Sequence, residues 1–340
     1  MDSSAATAGR RARGQIVVAR ALWYVKPGVA HIKTERLDLP GPGDARVEAR
    51  YSLISRGTER LVAHGEVPES EWQTMQAPLQ AGVFPFPVKY GYSAAGVVTA
   101  GPETLIGKTV FCLHPHQDYF HAAETMLHVV PDGIPARRAV LAANMETALN
   151  AHWDAGTGPG DKVLVVGAGL VGLLTAYIAL RIAGTEVTVA DINPGLAALA
   201  GKLGLRFALP EEAPDGNRIV FHTSASARGL QTAVDKSAFE ARIIEMSWYG
   251  TRPVSLMLGG AFHSRRLQLI SSQVGHVAPS RRATVSRRER LAIALGLLVD
   301  PALDALVADA IAFDDVPGRL TQIFSPSTSG LGPVIRYRAD

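Results

Sequence analysis

A chain of 340 residues is too long for one ordinary core and comfortable for two domains. Hydrophobic residues make up 47% and charged residues 19%, which excludes a disordered chain. The net charge of +3 and pI near 9.0 come with arginine clusters (Arg10, Arg11 and Arg13, then Arg281, Arg282, Arg287, Arg288 and Arg290) but with no nucleic-acid-binding motif. These arginines read as solvated surface, and no nucleic-acid partner is expected.

The first 15 residues carry arginines but no apolar core, so they read as a disordered tail and not as a secretory signal. Residues 16–150 look β-rich. QIVVARALWYV (15–25), ARVEARYSLIS (45–55), SAAGVVTA (93–100) and KTVFCLH (108–114) are short β-branched or alternating runs separated by Gly-Pro turns. Cys112, the one cysteine, rules out an internal disulfide framework and a multi-cysteine zinc site, and a cytoplasmic location is expected. From Asp161 the rhythm changes. KVLVVG, a helix from about 170 to 183, EVTVAD, a helix around 194–203, RIVFHT, a helix near 230–238 and RIIEMSW alternate, which predicts a parallel sheet covered by helices on both faces. The uncharged run Val163–Leu180 reads as a buried strand, turn and helix, so no membrane partner is expected. A further helix over 289–300 and a strand-like PVIRYRA (333–339) close the chain.

The strand KVLVV opens into Gly167-x-Gly169-x-x-Gly172, with Leu170 and Val171 inside the motif. A strand before it and a helix after it are the context a dinucleotide-binding loop requires. The first glycine allows the turn, the second admits the pyrophosphate, and the third lets helix and strand pack. Asp191 ends the next strand, 19 residues after Gly172. A carboxylate there accepts hydrogen bonds from ribose hydroxyls and repels a 2′-phosphate, and Ile192 and Asn193 bring no arginine, so NAD(H) is favoured over NADP(H). Asp191 also suits a cap for the helix beginning at Pro194.

A β-rich half, a dinucleotide fold and a return to β structure together resemble the medium-chain dehydrogenase/reductase superfamily. The segments YSLISRGTERL and GYSAAGVV are similar to its zinc-lacking branch, which includes the bacteriochlorophyllide hydroxyethyl dehydrogenases; that branch has glutamate where this chain has Ser93. The resemblance implies an α/β fold: a GroES-like β-rich catalytic domain over 16–150, completed by 280–340, and a Rossmann doubly wound parallel-sheet domain over 151–279. It also implies a homodimer. Zinc-dependent members carry metal ligands at positions matching Ser55, Gly91-Tyr92-Ser93 and the vicinity of Ala143, a poor donor set, so neither catalytic nor structural zinc is expected. Arg56 matches an arginine at the cofactor pyrophosphate, and Thr147 a threonine beside the nicotinamide. A long insert, 64–89, separates these segments and leaves the substrate open.

Without a metal, the proton falls to side chains near its place. Tyr92, Ser55 and His116 are the catalytic candidates; Gln117, Trp248, Tyr249 and Glu146 are the candidates for the wall around a small-molecule substrate. Each has a second reading. Tyr92 suits an aromatic filling the lost metal cavity, and His114 and His116 suit hydrogen-bonded structural histidines. Glu146 suits a helix-terminal charge, and Trp248 and Tyr249 suit apolar lining. His222, ending a strand, suits contact with the cofactor rather than catalysis. The resulting expectation is a zinc-independent, NAD(H)-linked oxidoreductase acting on an alcohol, carbonyl or activated double bond. The alternative is a non-catalytic dinucleotide-binding sensor on the same fold.

Overall fold

The computed structural model describes residues 16–307, 310–325 and 331–338, so the N-terminal tail expected over 1–15 lies outside the described residues. In chain order the elements that position the sites are β1 (Val17–Lys26), β2 (Val29–Leu37), β3 (Asp44–Leu53), α1 (Arg56–His64), β4 (Ala94–Ala100), β5 (Thr109–Cys112), β6 (Tyr119–Ala123), α2 (Ala142–Ala155), β7 (Lys162–Val166), α3 (Leu170–Leu180), β8 (Glu186–Ala190), β9 (Arg206–Ala208), β10 (Asn217–His222), α4 (Ala227–Asp235), β11 (Ser237–Glu245), β12 (Gln268–Ser271), α5 (Arg287–Gly296), α6 (Val316–Ile323) and β13 (Val334–Arg336). The chain divides into two compact units. Among the described residues, one comprises those through Ala142 with those from Val307 to Ser325 and from Gly332, and the other comprises Ala143–Leu306 with Leu331. Helix α5 falls within the second unit.

The first unit is built on two sheets. A four-stranded sheet runs β2, β1, Val88–Lys89, Ala81–Gly82, so the 64–89 insert contributes its last two strands. A second sheet runs Ala310–Ala312, β13, β3, β4, β5, His128–Val129, with β6 also paired to β3. Strand β3 is central because alternate residues Ala45, Val47 and Ala49 pack on Val98, Val110 and Phe120. Cys112 lies in this core, where burial pushes its thiol up to about 12.

In the second unit a six-stranded, all-parallel sheet has the order β9, β8, β7, β10, β11, β12. This is the doubly wound order whose chain reversal lies beside the first strand, β7. Leu164, Val166, Val220 and Ile243 pack against Leu230, Ala233 and Val234 of α4. That helix starts at Ala227, earlier than expected, because the Ser226 hydroxyl accepts the Gly229 N–H as a cap. Helix α5 opens with a capping box between Ser286 and Glu289. None of the described helices is long and apolar enough to cross a membrane.

Among the clustered arginines, Arg290 corrects the solvated reading. It is buried in the second unit, where Nε reaches Glu146 Oε1 at 3.0 Å and Nη1 reaches Asn150 Oδ1 at 2.6 Å and the His276 carbonyl at 3.0 Å.

Candidate functional site

Helix α1 places the central group of the first unit. Ser55 is its N-cap, and Glu59 reaches back to accept the Ser55 N–H at 2.7 Å. Gly65, in the left-handed conformation at φ 70°, ends the helix, as a residue without Cβ allows. The Glu59 side chain has no solvent exposure, and a carboxylate buried this way requires partners. Its Oε2 accepts from the Tyr24 hydroxyl at 3.1 Å and lies 2.8 Å from His116 Nε2. His116 Nδ1 lies 2.8 Å from Ser52 Oγ, which lies 2.8 Å from the Tyr337 hydroxyl. These contacts join Tyr337, Ser52, His116 and Glu59 in one chain of hydrogen bonds.

Tyr92 borders this network. Its phenol is hydrogen-bonded by Ser55 and Thr58, and its ring meets Tyr90 edge-on, 6.0 Å between centroids. Burial, with the Glu59 charge in support, pushes the phenol up to about 12 against the opposing pull of the Ser55 and Thr58 bonds. Gly91, at φ +123°, must be glycine: a Cβ there would lie 2.9 Å from the His116 ring. The next residue, Ser93, is wholly buried and donates to the Val140 carbonyl.

Ser55, Tyr92 and His116 thus meet around Glu59, a residue to which the sequence reading gave no role. The visible signal was its place four residues after Ser55 at a helix start. Tyr24, Ser52 and Tyr337 were also missed, because they come from separate strands and segments. His116 has no exposed surface, and both ring nitrogens are engaged, by Ser52 and by Glu59. Gln117 is likewise spent inside: Oε1 accepts from Lys89 Nζ at 2.9 Å, and Nε2 donates to the Tyr119 carbonyl at 2.7 Å. Burial holds the His114 imidazole down at about 3, and its ring stacks on Phe120 with centroids 3.9 Å apart. Arg56 donates through Nη2 to the Ser325 carbonyl at 2.7 Å, and burial lowers its guanidinium.

The second unit carries the glycine loop. Gly167 sits at φ +111° with no room for a Cβ, which would lie 2.7 Å from Thr223 Oγ1. A Cβ on Gly172 would lie 1.9 Å from the Gly167 carbonyl oxygen, so helix and strand meet only through glycine. Gly169 begins α3 without a side-chain cap, which leaves first-turn N–H groups for an anion, and Leu170 and Val171 form the start of that turn. Asp191 Oδ2 accepts the Ala168 N–H at 2.7 Å and Oδ1 the Asn193 N–H at 2.9 Å, placing a carboxylate at the loop. This donor set fits a dinucleotide: N–H groups for the pyrophosphate and a carboxylate for ribose hydroxyls.

The remaining candidates of this unit are placed differently. Thr147 returns its hydroxyl to the Ala143 carbonyl one turn back in α2, at 3.0 Å. Glu146 is buried against Arg290, and burial raises its carboxyl against the pull of Arg290. Trp248 is partly exposed, and Tyr249 donates to Glu245 Oε2 at 3.1 Å.

A β-rich unit of the GroES-like kind and a Rossmann unit with its glycine loop define the alcohol dehydrogenase fold. No family model matches the chain. It is 31% identical over 245 residues to L-threonine 3-dehydrogenase of Chelativorans sp. (strain BNC1), covering 63% of this chain and 70% of that protein. It is 28% identical over 326 residues to 2-desacetyl-2-hydroxyethyl bacteriochlorophyllide A dehydrogenase of Rhodobacter capsulatus, covering 88% and 95%. The crystal structure of L-idonate 5-dehydrogenase from Escherichia coli shares the fold at a TM-score of 0.78 and 12% identity, covering 96% of this chain and 100% of that one. The chain belongs to the medium-chain dehydrogenase/reductase superfamily, and it is an alcohol dehydrogenase-like oxidoreductase.

Zinc, which members of this superfamily carry, does not fit the residues present. Among the described residues no group of three or more His, Cys, Asp or Glu side chains is arranged to hold a metal ion.

Proposed function

We propose that this protein is a zinc-independent, NAD(H)-linked oxidoreductase that reduces a carbonyl at the Tyr92 hydroxyl. The observation that carries the reading is the meeting of Tyr92 and Ser55 around Glu59 where metal-dependent relatives need ligands. The bound dinucleotide supplies the hydride. Tyr92 keeps its proton at neutral pH, since its phenol is pushed up to about 12, and so donates a hydrogen bond to the carbonyl oxygen. As charge builds on that oxygen, the phenol transfers its proton, and a proton from solvent restores it. Ser55 and Thr58 orient the hydroxyl. Glu59, held by His116 and Tyr24, fixes the start of α1.

The Asp191 carboxylate at the glycine loop supports NAD(H) over NADP(H). The same reading comprises a small-molecule substrate, a cytoplasmic homodimer, and neither a nucleic-acid nor a membrane partner. The test is NADH oxidation across a panel of aldehydes and ketones by the native protein and Tyr92→Phe. The reading expects turnover with NADH that the variant loses by 10²-fold or more, on the order of one general-acid contribution. NADH binding without turnover of any carbonyl would favour a sensor instead.

A further inference from the structure

A polar cluster sits at the carboxyl ends of β10 and β11, with the Ser224 backbone against Gly167 of the glycine loop, so His222, expected from the sequence to contact the cofactor, lies in a hydrogen-bonded group of its own beside that loop. The parallel register pairs His222, the last residue of β10, with Glu245, the last of β11. His222 Nδ1 lies 2.8 Å from Glu245 Oε2 and 2.9 Å from Oε1. Its Nε2 lies 2.7 Å from the hydroxyl of Ser224, two residues on. The imidazole has no exposed surface, whereas Ser224 is exposed.

The carboxylate is itself oriented. Glu245 Oε1 accepts the Ser247 N–H at 2.8 Å, and Oε2 accepts from the Tyr249 hydroxyl at 3.1 Å. Burial alone would raise this carboxyl, but the His222 and Ser247 hydrogen bonds hold it below the ordinary range. An ionised carboxylate only accepts, so Nδ1 carries the imidazole hydrogen, and the Nε2 lone pair faces the Ser224 hydroxyl. That is the relation of nucleophile, base and orienting acid used in acyl transfer, recognised by geometry and not by sequence position.

Gly229 completes the arrangement. It lies in the first turn of α4, and a Cβ there would stand 2.2 Å from Ser224 Oγ and 3.0 Å from His222 Nε2. Glycine is what lets the serine and histidine meet against this turn. The helix end beside them carries positive partial charge, which favours a developing oxyanion.

We propose that Ser224 is an activated nucleophile and that this face of the second unit accepts small acyl esters. Ser224 Oγ adds to the ester carbonyl carbon while His222 Nε2 takes the hydroxyl proton. The tetrahedral intermediate expels the alcohol, which receives that proton from His222, and leaves an ester on Ser224. Water then adds to this ester with His222 again as base, releasing the carboxylic acid and restoring Ser224. The step is a hydrolysis with no oxidation, and it requires neither dinucleotide nor Tyr92.

The probe is p-nitrophenyl acetate on the full chain, read as a p-nitrophenolate burst, with the acetyl group located by peptide mass spectrometry. The expected result is a burst stoichiometric with protein and acetyl on the Ser224 peptide. Ser224→Ala should abolish the burst, and Glu245→Gln, which sets the wrong tautomer, should slow acylation by roughly 10²- to 10⁴-fold. Ser224→Ala removes one exposed oxygen, and an unchanged thermal transition confirms that it folds. If the Glu245 variant does not fold, Ser224→Ala decides alone. No burst, an unchanged burst in Ser224→Ala, or acetyl found only on lysines would overturn the assignment.

Discussion

Glu59 and His116 meet at 2.8 Å with neither side chain exposed to solvent. One carboxylate so placed organises three parts of the first unit: it holds the start of α1 through the Ser55 N–H, the Tyr24 hydroxyl of β1, and the ring that packs on Gly91. Glu59→Ala would leave that ring and that hydroxyl facing a void. Leaving buried donors without a partner costs about 1 to 3 kcal/mol for each. Glu59→Gln keeps the shape and should cost less, about 1 to 3 kcal/mol. Urea unfolding of the two variants checks the order; a loss under about 0.5 kcal/mol in both would contradict a central role.

Alkaline pH should attack the same region. Tyr24, Tyr90, Tyr92 and Tyr337 are all raised, burial being the largest cause for each, and Tyr92 reaches about 12. Unfolded tyrosines ionise near the ordinary value of about 10. The folded chain therefore holds more protons above that pH, so the stability these groups contribute is complete below pH 10 and is lost as pH rises through 12. Phenolate absorbance should appear together with unfolding; tyrosine ionisation at the ordinary value in a chain that stays folded would count against the burial described.

At the acid end two histidines set the limit. Burial holds His114 down at about 3 and His152 at about 4, below the ordinary 6.5. Here the unfolded chain binds the protons first. Stability is complete above pH 6.5 and falls as pH drops toward 4, by about 1.4 kcal/mol per pH unit for each group. His114→Phe, on the stack with Phe120, should flatten the slope by about half in urea titrations between pH 6 and pH 4. An unchanged slope would exclude His114 as a source.

How much of this was legible in the sequence depended on whether a partner was near in the chain. The glycine loop was readable because strand, turn and helix are contiguous, and Asp191 follows one strand later. Tyr92 and Ser55 stand in motifs that are contiguous in the chain, so the segments around them could be singled out. Glu59 was not, because its partners Tyr24 and His116 lie 35 and 57 residues away. Arg290 looked like surface within a run of arginines, and only packing of α5 against α2 brings Glu146 and Asn150 to it. The end of α4 was misplaced because Ser237 and Ala238 pair as strand in β11 and do not continue the helix.

Two glycine substitutions should move stability in opposite directions. Gly172→Ala drives a Cβ to 1.9 Å from the Gly167 carbonyl oxygen, and such overpacking costs about 1 to 3 kcal/mol. It should also weaken NADH binding, measured by fluorescence titration. Gly201, inside the helix Ala197–Lys202, has nothing within 4 Å of an added Cβ. Gly201→Ala should therefore stabilise by about 0.5 to 1 kcal/mol. Equal effects of the two changes would contradict the loop geometry.

The central claim is that the Tyr92 hydroxyl stands in for a metal, and metal content read together with turnover tests it most directly. Purified protein is analysed for zinc by mass spectrometry, and NADH oxidation with a turned-over carbonyl is followed before and after dialysis against 1,10-phenanthroline. The account predicts no stoichiometric zinc, undiminished turnover after chelation, and loss of turnover in Tyr92→Phe. One zinc per chain, with turnover removed by the chelator and restored by zinc, would contradict it.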